Sequence, residues 1–162
     1  MYDAVVAAGE ELGLRHAGYL ALDSLRSEKG YRHLGHDMGA HDDPYEVGLG
    51  FTVSTEKTED FTGRHALRRR AGKPARRAVF VALRDPEPVF VHDETMFQGT
   101  QPVGRVTSGA YGYTLGRACG IGSIAADTPE DGEFLVDRGG VQVPADISSR
   151  PFYDPANARL KG

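Results

Sequence analysis

A change of pattern at Pro74 limits what this chain can fold into. Downstream, β-prone runs at 78–83, 89–92, 103–108, 121–126, 133–137 and 141–145 are separated by turns carrying Gly or Pro. Many short strands at that spacing bury their apolar faces by closing on one another as a barrel or a sandwich. Asp137-Arg138-Gly139-Gly140 is the clearest hairpin, because its glycines accept the positive φ that tight turns require.

Upstream the spacing is helical. Asp3 reads as an N-cap, with Val5, Val6, Leu12 and Leu14 as the buried stripe and Gly13 as the stop. A second helix over about 21–29 places Leu22 and Leu25 on one face and is closed by Gly30. A His- and Asp-rich loop follows, and Pro44 starts a helical turn. From Gly50 to Thr55, Phe51 and Val53 alternate with polar neighbours, which predicts a half-buried strand. A third helix over about 63–70 ends at Gly72 and Pro74. The fold class read from this is α+β, with a boundary near residue 73 between an α+β piece, 1–72, and an all-β domain, 73–162. Three helices with one or two strands cannot cover both faces of a sheet. Partner strands are therefore expected from outside the chain, leaving exposed edges open to self-association.

Composition narrows the function classes. A net charge of −4 gives no electrostatic reason for a nucleic-acid or membrane partner. The cluster Arg64, Arg68, Arg69, Arg70, Lys73, Arg76 and Arg77 reads as a solvated helix face balanced by Glu56, Glu59 and Asp60. The single Cys119 cannot form an internal disulfide, which fits a reducing compartment such as the cytoplasm, or the mitochondrial matrix for a eukaryotic source. No leader or membrane-spanning run opens the chain, and its abrupt helical start reads as a piece of a longer protein.

The reactive side chains make no recognisable catalytic set. His33, His36, Asp37, His41, Asp42 and Asp43 share one loop, but their spacing matches no standard ligand motif, so a polar loop rather than a metal site is expected. The glycines between 104 and 122 lack the Gly-Lys-Ser/Thr ending of a phosphate loop and suit strand corners instead. Cys119 and Ser108 have no base nearby in sequence. Arg26 has two readings. Its guanidinium suits a dicarboxylate or glutamyl tail, or it is a surface residue pairing with Glu28 or the loop acids.

Four stretches in order resemble the glycine cleavage T-protein (aminomethyltransferase) family. They are Ala17 to Arg32, with Ser24-Leu25-Arg26-Ser27-Glu28 at its centre; Pro44 to Leu49 followed by Phe61 to Leu67; Val103 to Gly112 with Thr114-Leu115-Gly116; and Arg150 to Pro155. Glu28-Lys29-Gly30-Tyr31-Arg32, with Phe51, is most similar to the C-terminal regions of dimethylglycine and sarcosine dehydrogenase-like proteins. The resemblance implies the trailing part of a folate-binding α+β domain followed by an all-β barrel. It implies tetrahydrofolate as cofactor, a methylated amine or aminomethyl donor as substrate, and FAD on a region upstream. Arg26, Phe51 and Arg150 are the implied folate contacts, while Glu28 and Glu46 match the pattern as structural residues. The family's acid/base aspartate and pterin-holding glutamate belong to its N-terminal half, so no catalytic residue is expected here. The competing expectations are a non-catalytic docking barrel of a larger oxidoreductase and a folate-dependent demethylase acting on another methylated substrate.

Overall fold

The structure, a computed structural model, describes residues 1–162. Its centre is a closed barrel of six antiparallel strands. They are β1 (Arg76–Leu83), β2 (Thr95–Gln98), β3 (Gln101–Gly112), β4 (Arg117–Ala125), β5 (Phe134–Asp137) and β6 (Gln142–Ser148), in the spatial order β1-β4-β3-β2-β5-β6. Side chains alternate across a strand, so every second residue of β1 enters the barrel. Val79, Val81 and Leu83 do so, joining Met96, Val106, Ile124 and Val136 in one cluster. Between them, Phe80 points outward yet is only 3% exposed, because the helical part of the chain lies on that wall. A strand covered on both faces reads as the unbroken apolar run 78–83.

Five of the six β-prone runs become strands; 89–92 does not. Pro86 and Pro88 precede it, and Glu94 then bends the backbone by accepting hydrogen bonds from the Val91 and His92 amides through its carboxylate. The strand β2 starts only after that bend.

The leading residues form α1 (Tyr2–Gly9), α2 (Tyr19–Lys29) and α3 (Arg64–Arg70). Two expectations are corrected here. The run 50–55 is a 3-10 turn over Gly50–Thr52, not a strand, and Phe51 on it is 84% exposed. Residues 1–72 therefore contain no named strand and no orphaned sheet edge, and the barrel itself is closed. The exposed-edge route to self-association is absent from this structure.

The second correction concerns which helix faces are buried. Leu22 and Leu25 are exposed, whereas Ser24, Ser27 and Glu28 are buried against β3 and β4. The polar face docks because the sheet offers it partners. Ser24 Oγ donates to the Tyr111 carbonyl at 2.6 Å. Glu28 accepts from the Thr114 and Leu115 amides at 2.7 and 3.0 Å and from the Thr114 hydroxyl at 3.0 Å. On α1, Val5 is exposed, as are Leu12 and Leu14 beyond its end; Val6 is half-buried and only Gly9, lying under Leu14, is buried, so the predicted stripe covers little. The chain end returns to α2, where Lys29 Nζ donates to the Asp154 carbonyl and carboxylate and to Asn157 Oδ1 at 2.6–3.0 Å. A last turn, α4 (Ala158–Lys161), follows. No helix is long and apolar enough to cross a membrane.

Candidate functional site

Arg26 lies in the last turn of α2, where the helix turns toward β3. Gly30 ends that helix at φ 78°, a left-handed conformation that glycine takes without strain. A Cβ at Gly30 would run into the Phe80 ring, so the bare backbone is also what lets α2 sit close to β1.

The guanidinium is held from three directions. Nε donates to Asp23 at 2.9 Å, and Nη1 donates to Asp37 at 3.0 Å and to the Ser108 hydroxyl at 3.2 Å. Asp37 is the hub, its side chain fully buried. One oxygen, Oδ2, accepts from Arg26 and from the His33 amide at 2.9 Å; Oδ1 accepts from Thr107 Oγ1 and Ser108 Oγ, both at 2.6 Å. Consecutive strand residues normally face opposite sides. The pairing of β3 with β4 slips between Val106 and Ser108, a β-bulge that turns both hydroxyls onto one carboxylate.

With both carboxylate oxygens of Asp37 engaged by fixed donors, its acceptor positions are filled from within the chain. Arg26 differs, because its Nη2 makes no hydrogen bond and is not among the buried unpaired atoms. Arg26 lines a cavity of about 180 Å³ together with Tyr19, Asp23, His36, His92 and Ser108. Pockets that enclose a drug-sized ligand run to about 300–1,000 Å³. This one therefore fits the anionic tail of a larger molecule rather than the whole of it.

The other implied contacts lie elsewhere. Phe51 is on the exposed 3-10 turn, and Arg150 follows β6 with its amide donating to Ser148 Oγ at 3.0 Å; neither lines the Arg26 cavity. Glu28 is occupied with the Thr114 turn. Glu46 pairs with Arg70 at 3.5 Å beside Asp43, which accepts from the Tyr45 and Glu46 amides at 2.9 Å. The six-residue His/Asp loop disperses. Asp42 pairs with Arg76 at 2.8 Å and Asp43 with Arg70 at 2.7 Å, while Asp37 is buried under Arg26. Most of the basic cluster is likewise engaged. Arg64 and Arg68 donate to the Thr55 carbonyl at 2.8 Å, and Arg77 pairs with Glu130 at 3.0 Å.

Sequence reasoning missed the partners that make Arg26 a site. Thr107 and Ser108 are about 70–80 residues away and owe their aim to the bulge. His92 arrives from the bend before β2, with Nε2 3.3 Å from His36 Nδ1 and Nδ1 2.9 Å from Asp93. The Asp93 carboxyl is held below its usual range chiefly by the His92 hydrogen bond, with Arg105 adding to it.

Comparison with known proteins bears on the whole chain. Residues 76–154 match the glycine cleavage T-protein C-terminal barrel domain, and residues 1–57 match the GCVT N-terminal domain. A 4-methylaminobutanoate oxidase (formaldehyde-forming) of Paenarthrobacter nicotinovorans is 56% identical over 99% of this chain and 20% of its own length. Mouse mitochondrial sarcosine dehydrogenase is 36% identical over 100% of this chain and 18% of its own. The crystal structure of the glycine cleavage system aminomethyltransferase T from Bartonella henselae superposes with a TM-score of 0.80 at 25% identity, covering 94% of this chain and 45% of that one. The chain spans about a fifth of the length of the two curated relatives. Two family domains matched in order, on a barrel with the same fold, make this chain the C-terminal region of a member of the glycine cleavage T-protein family.

Proposed function

We propose that this region serves tetrahydrofolate-dependent one-carbon transfer within a longer protein, as one wall of a folate site. The observation that carries the reading is Arg26, whose Nη2 is left unpaired beside a cavity of tail size while the rest of its guanidinium is fixed. A guanidinium held this way pairs with a carboxylate at little further cost in side-chain freedom. The folate glutamyl carboxylates supply that partner. Phe51, with its ring in solvent, and Arg150 are proposed as further contacts, the first by packing on the pterin. Two named relatives, the 4-methylaminobutanoate oxidase and sarcosine dehydrogenase, support an N-methylated amine as the one-carbon donor, oxidised on an upstream flavin region.

Calorimetric titration of tetrahydrofolate into the full-length protein tests this. Arg26→Ala is expected to weaken binding by about 1.5–3 kcal/mol, the size of a hydrogen bond to a charged group. Arg26→Lys, which keeps the charge but loses the fork, should fall between the two. An unchanged dissociation constant in both variants removes Arg26 from the site. No folate binding by the full-length protein leaves the barrel a docking module.

A further inference from the structure

The charge around the Arg26 cavity has a consequence for any anion that enters it. Arg26 is already matched by Asp23 at 2.9 Å and Asp37 at 3.0 Å. Next to His92 in the chain, Asp93 pairs with Arg105 at 2.6 Å, and the buried Glu94 accepts from the Val91 and His92 amides. Counting Arg32, whose charge also interacts with Asp37, three guanidinium groups stand near four carboxylates, and with neutral imidazoles the surroundings are net acidic by one charge. A carboxylate would be repelled by them.

Three imidazoles can reverse that sign. His33 and His36 lie with ring centroids 4.7 Å apart and planes tilted by 31°, and His36 meets His92 edge-on at 5.4 Å. All three line the cavity with Arg26. The hydrogen bonds form a chain. Asp93 accepts from His92 Nδ1–H, which leaves His92 Nε2 as the acceptor for His36 Nδ1–H. A further proton then enters at His36 Nε2, and the charge can pass back through His92 to rest against Asp93. His92 is held in this chain at a cost, with φ 144° and its neighbour Asp93 at φ 60°, both positive. Glu94 pins the bend by accepting both preceding amides. The ring of His33 completes the cluster with a buried Nδ1 that has no partner.

We propose that the Asp93–His92–His36 chain makes this cavity a proton-linked carboxylate site, taking up one proton as a carboxylate settles against Arg26 Nη2 and the His36 imidazolium. The identity of the carboxylate as a glutamyl tail rests on the folate reading; the proton linkage rests on the geometry alone. An imidazole changes charge between about pH 5 and 8, so binding strengthens as pH falls through that window. Full linkage to one proton raises affinity about tenfold per pH unit.

The test titrates two probes, γ-glutamylglutamate and tetrahydrofolate, into the full-length protein at pH 6, 7 and 8, each in two buffers of different ionisation enthalpy. Expected are uptake of close to one proton per dipeptide bound, a steep gain in affinity toward pH 6, and loss of both in His92→Gln and in His36→Gln. Both rings are exposed, and the two variants are judged against each other, so a folding defect in one does not decide the outcome. Dipeptide binding without proton uptake, uptake that survives both variants, or no dipeptide binding even at pH 6 overturns the proposal. Proton-linked dipeptide binding with no tighter binding of tetrahydrofolate upholds this site and sinks the folate reading. Folate binding without uptake does the reverse.

Discussion

At the scale of single residues, burial decides which groups can react. Cys119 sits on β4 under α2, 1% exposed, and its thiol is pushed up to about 12, first by burial and then by the nearby Glu28 carboxylate. A thiolate is the reactive form. The native chain should therefore resist Ellman's reagent at pH 8 and react fully once unfolded in guanidinium; rapid native reaction would contradict the packing. The sign of the linkage follows from the raised value. Between an ordinary thiol near 9.0 and about 12 the folded state keeps a proton that the unfolded state releases, so this group lowers stability as pH rises through that window and has no effect at neutral pH. The Arg26 position was legible because a guanidinium is the side chain that carboxylate recognition calls for, and because its neighbours resemble a family pattern. Asp37 was visible only as one member of a polar loop. Its role depends on Thr107 and Ser108 being aimed together by a bulge, and nothing in the residues 106–108 announces that slip of register.

At the scale of elements, local patterns that report on one strand were readable, and those that depend on a partner were not. The run 78–83 became β1 and Asp137 to Gly140 became a hairpin, since alternation and turn chemistry are properties of adjacent residues. Periodicity misplaced the buried face of α2. Leu22 and Leu25 share a face as expected, yet the barrel receives Ser24, Ser27 and Glu28, whose polar atoms meet the Tyr111 carbonyl and the Thr114 turn. The helix is positioned by hydrogen bonds and by the left-handed Gly30 at its end. Gly30→Ala would force a side chain into that conformation and into the Phe80 ring. The combined strain and overpacking is expected to cost about 2–4 kcal/mol, read as a lower urea midpoint at unchanged slope. A loss below about 0.5 kcal/mol, within the range of an ordinary surface substitution, would mean that α2 does not depend on this close approach.

At the scale of the molecule, stability should be graded from the barrel outward. Every barrel strand is paired on both sides, and β1 and β4 bury most of their residues. The helix α2 is tied to β3 through Ser24, to the turn between β3 and β4 through Glu28, and to the chain end through Lys29. By contrast α1 buries only Gly9 and leaves Tyr2 and Val5 in solvent. A short helix with so little tertiary burial is marginal in water. Native-state hydrogen exchange should find the amides of Val79, Val81 and Ile121 opening only with global unfolding, those of α2 at intermediate free energy, and those of α1 close to unprotected rates. Because Arg26 belongs to α2, its order should follow the intermediate class, and anything that detaches the Glu28 or Lys29 ties should loosen the cavity before the barrel melts. Equal protection of α1 and β1 would show instead that helices and barrel unfold as one unit, and the grading by burial would be wrong.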